Sequence, residues 1–198
     1  MLVLLLALIV IIIEPTVTKQ IFNIYRKGGT SSLVVTLKSG EGKVYIDNKY
    51  YGTTPLSVHN ISSGVHSVKI IRLASTSNFY SPFLETIPFE GNNATIIEWN
   101  MGPSSNFSSG AIFYFKNNFS SSSSINLSVN TKSEIFINKK YIKTSSFLEK
   151  ILPPGAYNIT LASPGYIQKS IEVNLKEGYD VYVKVQLFEI PLRLASGG

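Results

Sequence analysis

The fold is decided by Lys43-Val44-Tyr45-Ile46-Asp47-Asn48-Lys49-Tyr50-Tyr51-Gly52-Thr53-Thr54-Pro55-Leu56, because the same pattern returns later in the chain. Laid over residues 134–161 at a constant offset of 91, residues 43–70 align without a gap. Ile46, Lys49, Tyr50, Thr53 and Gly64 meet Ile137, Lys140, Tyr141, Thr144 and Gly155. The apolar positions keep their class: Val44 with Ile135, Tyr45 with Phe136, Leu56 with Phe147, Ile61 with Leu152, Val68 with Ile159, Ile70 with Leu161. What repeats is a core pattern together with a turn pattern, which are the ingredients of a fold.

Locally, Val44 to Asp47 alternates with period two, so Val44 and Ile46 face inward and Asp47-Asn48-Lys49 forms a hairpin tip. Tyr50 and Tyr51 begin the return strand, which Gly52 and Pro55 end. Further strands are expected at 33–37, 56–58, 65–72, 83–89 and 95–100, with Trp99 as a core anchor. The second copy runs through strands at 125–129, 135–138, 141–143, 147–150, 156–162, 168–173 and 181–188. Strands this short and numerous predict an all-β protein of two small antiparallel β-sandwiches in tandem, at 30–100 and 125–189, followed by a tail over 190–198. Residues 101–124 read as a Ser/Gly-rich linker. Within it Ala111-Ile112-Phe113-Tyr114-Phe115 is too apolar to stay in water, and adds a strand to one sandwich or covers an edge between them.

Val44 to Lys49, then Gly52-Thr53-Thr54-Pro55-Leu56, then Gly64-x-His66-x-Val68 resemble the PEGA domain, three motifs in order across about forty residues. The eponymous turn is degraded to Ser39-Gly40-Glu41-Gly42, and Asn48 stands where Gly is usual. The second copy departs further, with Lys143-Thr144-Ser145-Ser146 for the Gly-x-Thr-Pro turn, but keeps Pro154-Gly155-x-Tyr157 and Pro164-Gly165-Tyr166. The resemblance implies extracytoplasmic β-modules of bacterial and archaeal surface proteins, with Gly52, Thr53, Pro55, Gly64 and Gly155 as turn residues.

Met1 to Ile13 is an unbroken apolar run, stopped by Glu14 and Pro15. As a helix it spans about 20 Å, against roughly 30 Å of bilayer hydrocarbon. That suits a signal-peptide core, although a basic start and a small-x-small cleavage site are missing. The expectation is a signal-anchor helix over 1–14, membrane lipid as its partner, and a single-pass protein with its β-domains outside the cell membrane. Permanent anchor and cleaved signal both remain open, and Lys19, Arg26 and Lys27 after the run favour the opposite orientation.

Composition narrows the functional classes. Of 198 residues 44% are apolar and 15% charged, a texture that favours strands. The net charge of +6 is diffuse, so nucleic acid is not an expected partner. Without cysteine there is no disulfide, thiolate metal site or cysteine nucleophile. The two histidines, His59 and His66, have no ligand partners at metal spacing, and His66 sits where the second copy has Tyr157. The carboxylates Asp47, Glu85, Glu98, Glu134, Glu149 and Glu172 are scattered singly. No phosphate loop or nucleophile elbow occurs, so neither an enzyme nor a cofactor is expected. Six Asn-x-Ser/Thr sequons, beginning at Asn60, Asn93, Asn106, Asn118, Asn126 and Asn158, point only to surface.

The remaining candidate ligand contacts are Lys49, Tyr50 and Tyr51 at the first hairpin and Lys139, Lys140 and Tyr141 at the second, with Lys143 close by. Aromatic rings beside cations suit sugar rings and anionic wall polymers. The plainer reading is good strand residues with lysines blunting exposed edges. The chain is thus expected to be a non-enzymatic spacer or scaffold of a prokaryotic cell envelope, partnered by envelope protein. The alternatives are polysaccharide or polyanion binding through the tips and homotypic assembly through edge strands.

Overall fold

The computed structural model describes residues 29–74 and 79–191. The expected anchor over 1–14 and residues 192–198 of the tail lie outside them. Among the described residues no helix is long and apolar enough to cross a membrane. Their elements are strands: β1 (Thr30–Leu37), β2 (Glu41–Ile46), β3 (Lys49–Thr53), β4 (Leu56–Ser62), β5 (Gly64–Leu73), β6 (Phe83–Phe89), β7 (Ala94–Asn100), β8 (Ser109–Asn117), β9 (Ser123–Ile137), β10 (Lys140–Leu152), β11 (Gly155–Ala162), β12 (Lys169–Leu175) and β13 (Tyr179–Gln186).

A four-stranded sheet runs β3-β2-β5-β6, and a nine-stranded sheet runs β12-β11-β9-β13-β8-β7-β1-β4 with β10 on β9. The four-stranded sheet is antiparallel throughout, as expected, but the nine-stranded sheet is mixed: β1 pairs parallel with β7, and β9 with β13. The reason is the path of the chain, which leaves each first strand, crosses the opposing layer and returns beside it in the same direction.

The two copies share this pairing scheme while cutting their strands differently. Residues 124–129 of β9 lie beside β13 as β1 lies beside β7, and residues 134–137 pair with β11 as β2 pairs with β5. Likewise β10 covers both halves of β9, as β3 covers β2 and β4 covers β1. In the first copy Gly40, at φ 65°, and the Gly52 to Pro55 turn cut the chain into four strands. Their equivalents are Thr131, Lys143 and Ser146, so the second copy bends through instead, absorbing the strain in register shifts near Tyr141 and Ser145. The shift before Phe147 overturns one expectation: Phe147 is 47% exposed, and Leu148 takes the inward place.

Two apolar cores result. One gathers Leu33, Val35, Val44, Ile46, Val68, Ile70 and Ile97; the other gathers Ile125, Leu127, Ile135, Ile137, Ile159, Leu161 and Val183. The aligned pairs Val44 with Ile135, Ile46 with Ile137, Val68 with Ile159 and Ile70 with Leu161 are all buried. Trp99 is half-buried at the margin of the first core, edge-on to Phe83 with centroids 4.8 Å apart.

The segment read as a linker carries β8, the strand between the copies. It pairs antiparallel with β7 on one side and β13 on the other. Ala111 and Phe113 enter the second core, while Ile112 enters the first. Successive side chains point to opposite faces of a sheet, so the two cores lie on opposite faces. Because β7 and β13 run in one direction, a half-turn about an axis along β8 relates the copies. Ile97 pairs with Ile112 and Val183 with Phe113, so the half-turn carries a shift of only one residue.

Candidate functional site

Both expected tips are tight turns of one kind. Asp47 and Asn48 have φ of 48° and 64°, and Asn138 and Lys139 have φ of 48° and 67°. Two consecutive left-handed residues make the turn whose twist matches the flanking strands. Each turn is latched to the neighbouring strand in the same way. Asp47 Oδ1 accepts from Ser67 N at 2.9 Å, and Asn138 Oδ1 from Asn158 N at 2.9 Å. Asp47 N donates to Ser67 O, as Asn138 N does to Asn158 O.

The rings beside these latches correspond as well. His66 Nε2 lies 2.9 Å from Ser62 O, and Tyr157 Oη donates to Pro153 O at 2.8 Å, so either ring ties down the carbonyl of the preceding turn. His66 Nδ1 also meets Asp47 Oδ2 at 2.6 Å. The hydrogen bond from His66, helped by that from Ser67 N, holds the Asp47 carboxyl below the ordinary carboxylate range. This pair therefore has a fastening role that accounts for both residues.

The tip residues divide between two faces. Lys49 Nζ lies 5.6 Å from the Tyr51 ring centroid, whereas Tyr50, on the other face, tilts against Tyr45 at 5.6 Å. In the second copy Tyr141 stands edge-on to Phe136 at 5.7 Å and its hydroxyl meets Thr144 Oγ1 at 3.0 Å. Tyr50 and Tyr141 are each 52% exposed, and Lys139 and Lys140 are exposed beside the second. Each copy thus presents one propped, half-exposed ring, with Lys49 on the face away from Tyr50 at the first tip, and the six residues do not converge on one of the described pockets.

Of the turn residues, Gly52, Gly64 and Gly155 have φ of 146°, 145° and 152°, a region that only glycine enters readily. Thr53 and Pro55 are exposed. The residue that sequence reasoning missed is Thr54. It is buried, its hydroxyl accepts from Gly42 N at 2.9 Å, and its own N–H donates to Gly42 O. Its place before a proline was the available signal, since such a residue is held extended.

A cavity of about 690 Å³ lies away from the tips. It is a groove between β12 and the face of the large sheet formed by β7 and β8, floored by Ile96, Phe113 and Phe115. Lys169 and Glu98 stand at one end and Lys176 and Tyr179 at the other. Burial pushes the Lys169 ammonium below its usual range, Lys38 adds to the effect, and Glu98 opposes it. Among the described residues no cluster of three or more His, Cys, Asp or Glu could hold a metal ion.

Residues 30–104 match the PEGA domain family, a stretch that takes in β1 to β7 and stops before β8. No curated protein matches the chain. Among solved structures the Bacillus anthracis TIE protein is similar at 15% identity and a TM-score of 0.29, over 82% of this chain. This chain spans about a third of that protein's length, 34%.

Proposed function

We propose that this chain is a non-enzymatic module of a prokaryotic cell envelope, held in the membrane by residues 1–14 and standing outside it as a spacer or scaffold. The observation that supports this best is the shared strand β8. A spacer has to transmit position, and two units hydrogen-bonded through one strand cannot swing about a flexible joint. Fractionation tests the reading: full-length protein should sediment with membranes, need detergent for release, and be cut by protease added to intact cells. Recovery in the soluble cytosolic fraction overturns it.

A second reading, binding of wall polysaccharide or another polyanion by the tips, draws on the matching turns, the half-exposed rings of Tyr50 and Tyr141, and the exposed lysines of both tips. Retention on isolated wall material should fall at least about tenfold for Lys49→Ala/Tyr50→Ala/Lys140→Ala/Tyr141→Ala, equivalent to about 1.4 kcal/mol. Equal retention removes the idea.

A further inference from the structure

The half-turn that relates the copies makes β6 and β12 equivalent outer strands, each pairing on one side only among the described residues. A strand edge of this kind offers a row of free backbone N–H and C=O groups, which proteins ordinarily blunt. At β6 the blunting is plain. Pro88 lies within the strand, and a strand proline places its nitrogen on the free side. Beyond that edge Lys184 of β13 reaches Glu85 at 2.8 Å, and Tyr182 of β13 stacks on Tyr114 of β8 at 5.1 Å.

Among the described residues β12 has none of this. Pro88 pairs with Val65 and Asn174 with Ala156, so Asn174 stands where Pro88 does. By that equivalence the backbone groups of Ser170, Glu172 and Asn174 point away from β11, toward the groove floored by Ile96, Phe113 and Phe115. The seven residues of β12 extend about 23 Å, and the groove, about 690 Å³, has the bulk of a short strand rather than of a second sheet. At its Lys169 end the ammonium groups of Lys38 and Lys169 outnumber the carboxylate of Glu98 among the described residues lining the groove and the pocket that adjoins it, while Glu172 stands farther along β12.

From this edge, this floor and this charge we infer that the groove takes an extended peptide from a partner protein as an added strand on β12, with an acidic residue at the Lys169 end. The peptide runs antiparallel to β12, so its acidic residue is C-terminal, and its alternate apolar side chains lie on Phe113 and Phe115. The inference deepens the reading of this chain as an interaction module, and its site is separate from the hairpin tips.

The test uses the full chain in detergent and synthetic hexapeptides with blocked ends: Val-Thr-Val-Thr-Val-Glu, the same peptide with Lys last, and the same with Glu first. Binding is read by fluorescence anisotropy, and amide exchange locates it. The Glu-last peptide should bind at least about fivefold more tightly than either control and slow exchange at Glu172 and Asn174. Asn174→Pro, which copies a residue the equivalent strand already carries, should weaken binding at least about tenfold. Lys169→Glu should reverse the preference toward the Lys-last peptide. Neither variant should alter retention on wall material, and the tip variants should bind peptide as the wild type does, so this inference and the tip reading fail separately. Equal affinity for the three peptides, binding untouched by both variants, no saturable binding, occupation by wall oligosaccharide alone, or self-association through β12 would each overturn it.

Discussion

The outer edges of β6 and β12 hold equivalent places in the two halves of the molecule, yet among the described residues only the first is closed. Beside β6, a proline, a lysine-glutamate bridge and a stacked tyrosine pair occupy the ground where another strand would lie. Beside β12 the same ground is an open groove with an apolar floor. Two halves with one pairing scheme present two equivalent edges, and a few side chains make the difference between a filled edge and an open one. The glycine and proline turns sharpen the contrast, since the copy with the closed edge also has its strands cut short, and the other has them bent through.

The most damaging way to probe this comparison is at the strand the copies share. A Cβ on Gly110 would clash with Trp99 Cε3 and with Glu98 O, and backbone cannot yield as a side chain can. Gly110→Ala should cost about 3 kcal/mol. Urea melts followed by Trp99 fluorescence, and by amide exchange in the second core, should show both signals shifting together; independent transitions would mean that β8 does not couple the copies.

The clasp at Thr54 should have a smaller effect, confined to one copy. Thr54→Val leaves Gly42 N–H buried without a partner, at about 1–3 kcal/mol. Ser145→Ala, at the equivalent place, should cost less than about 0.5 kcal/mol, since Ser145 Oγ meets only the exposed Phe147 N. Equal losses in chemical denaturation would show that the uncut strand relies on the same fastening.

Acid should distinguish the latches. The Asp47 carboxyl is held low, so its contribution is complete above the unfolded carboxylate value near pH 4 and disappears as pH falls through the folded value. Asp47→Asn, which copies Asn138, should flatten that part of the stability profile while leaving pH 7 stability little changed. An unchanged acid limb in melts between pH 7 and pH 2.5 would exclude Asp47 as its source. The smallest effect should come from Lys184→Ala, because an exposed ion pair is worth about 0–1 kcal/mol and less in salt. The same variant clears ground beside β6, but Pro88 should still keep the hexapeptide from binding there.

Much of this architecture was legible because it depends on local pattern. Val44, Ile46, Ile135 and Ile137 alternate in the sequence and are buried in the fold, and Asp47-Asn48 gave the hairpin its turn. The tyrosines of the tips are exposed as their positions suggested. The partners of β8 were not legible. Ala111 to Phe115 is apolar without alternation, the mark of a strand buried on both faces, yet a pattern of that kind does not say whose cores it enters. Phe147 was misplaced because the register shift just before it hands the inward place to Leu148. The groove escaped entirely, since β7 and β12 come together only through the half-turn about β8.

Joining two repeats by a common strand also changes where the polypeptide tolerates extra length. A stretch between repeats is ordinarily its most forgiving place for an insertion, but here one additional residue ahead of Ala111 would send Ala111 and Phe113 into the first core and Ile112 into the second. Both interiors would be mispacked by one event, so selection on this serine-bounded segment falls on its length as well as its composition.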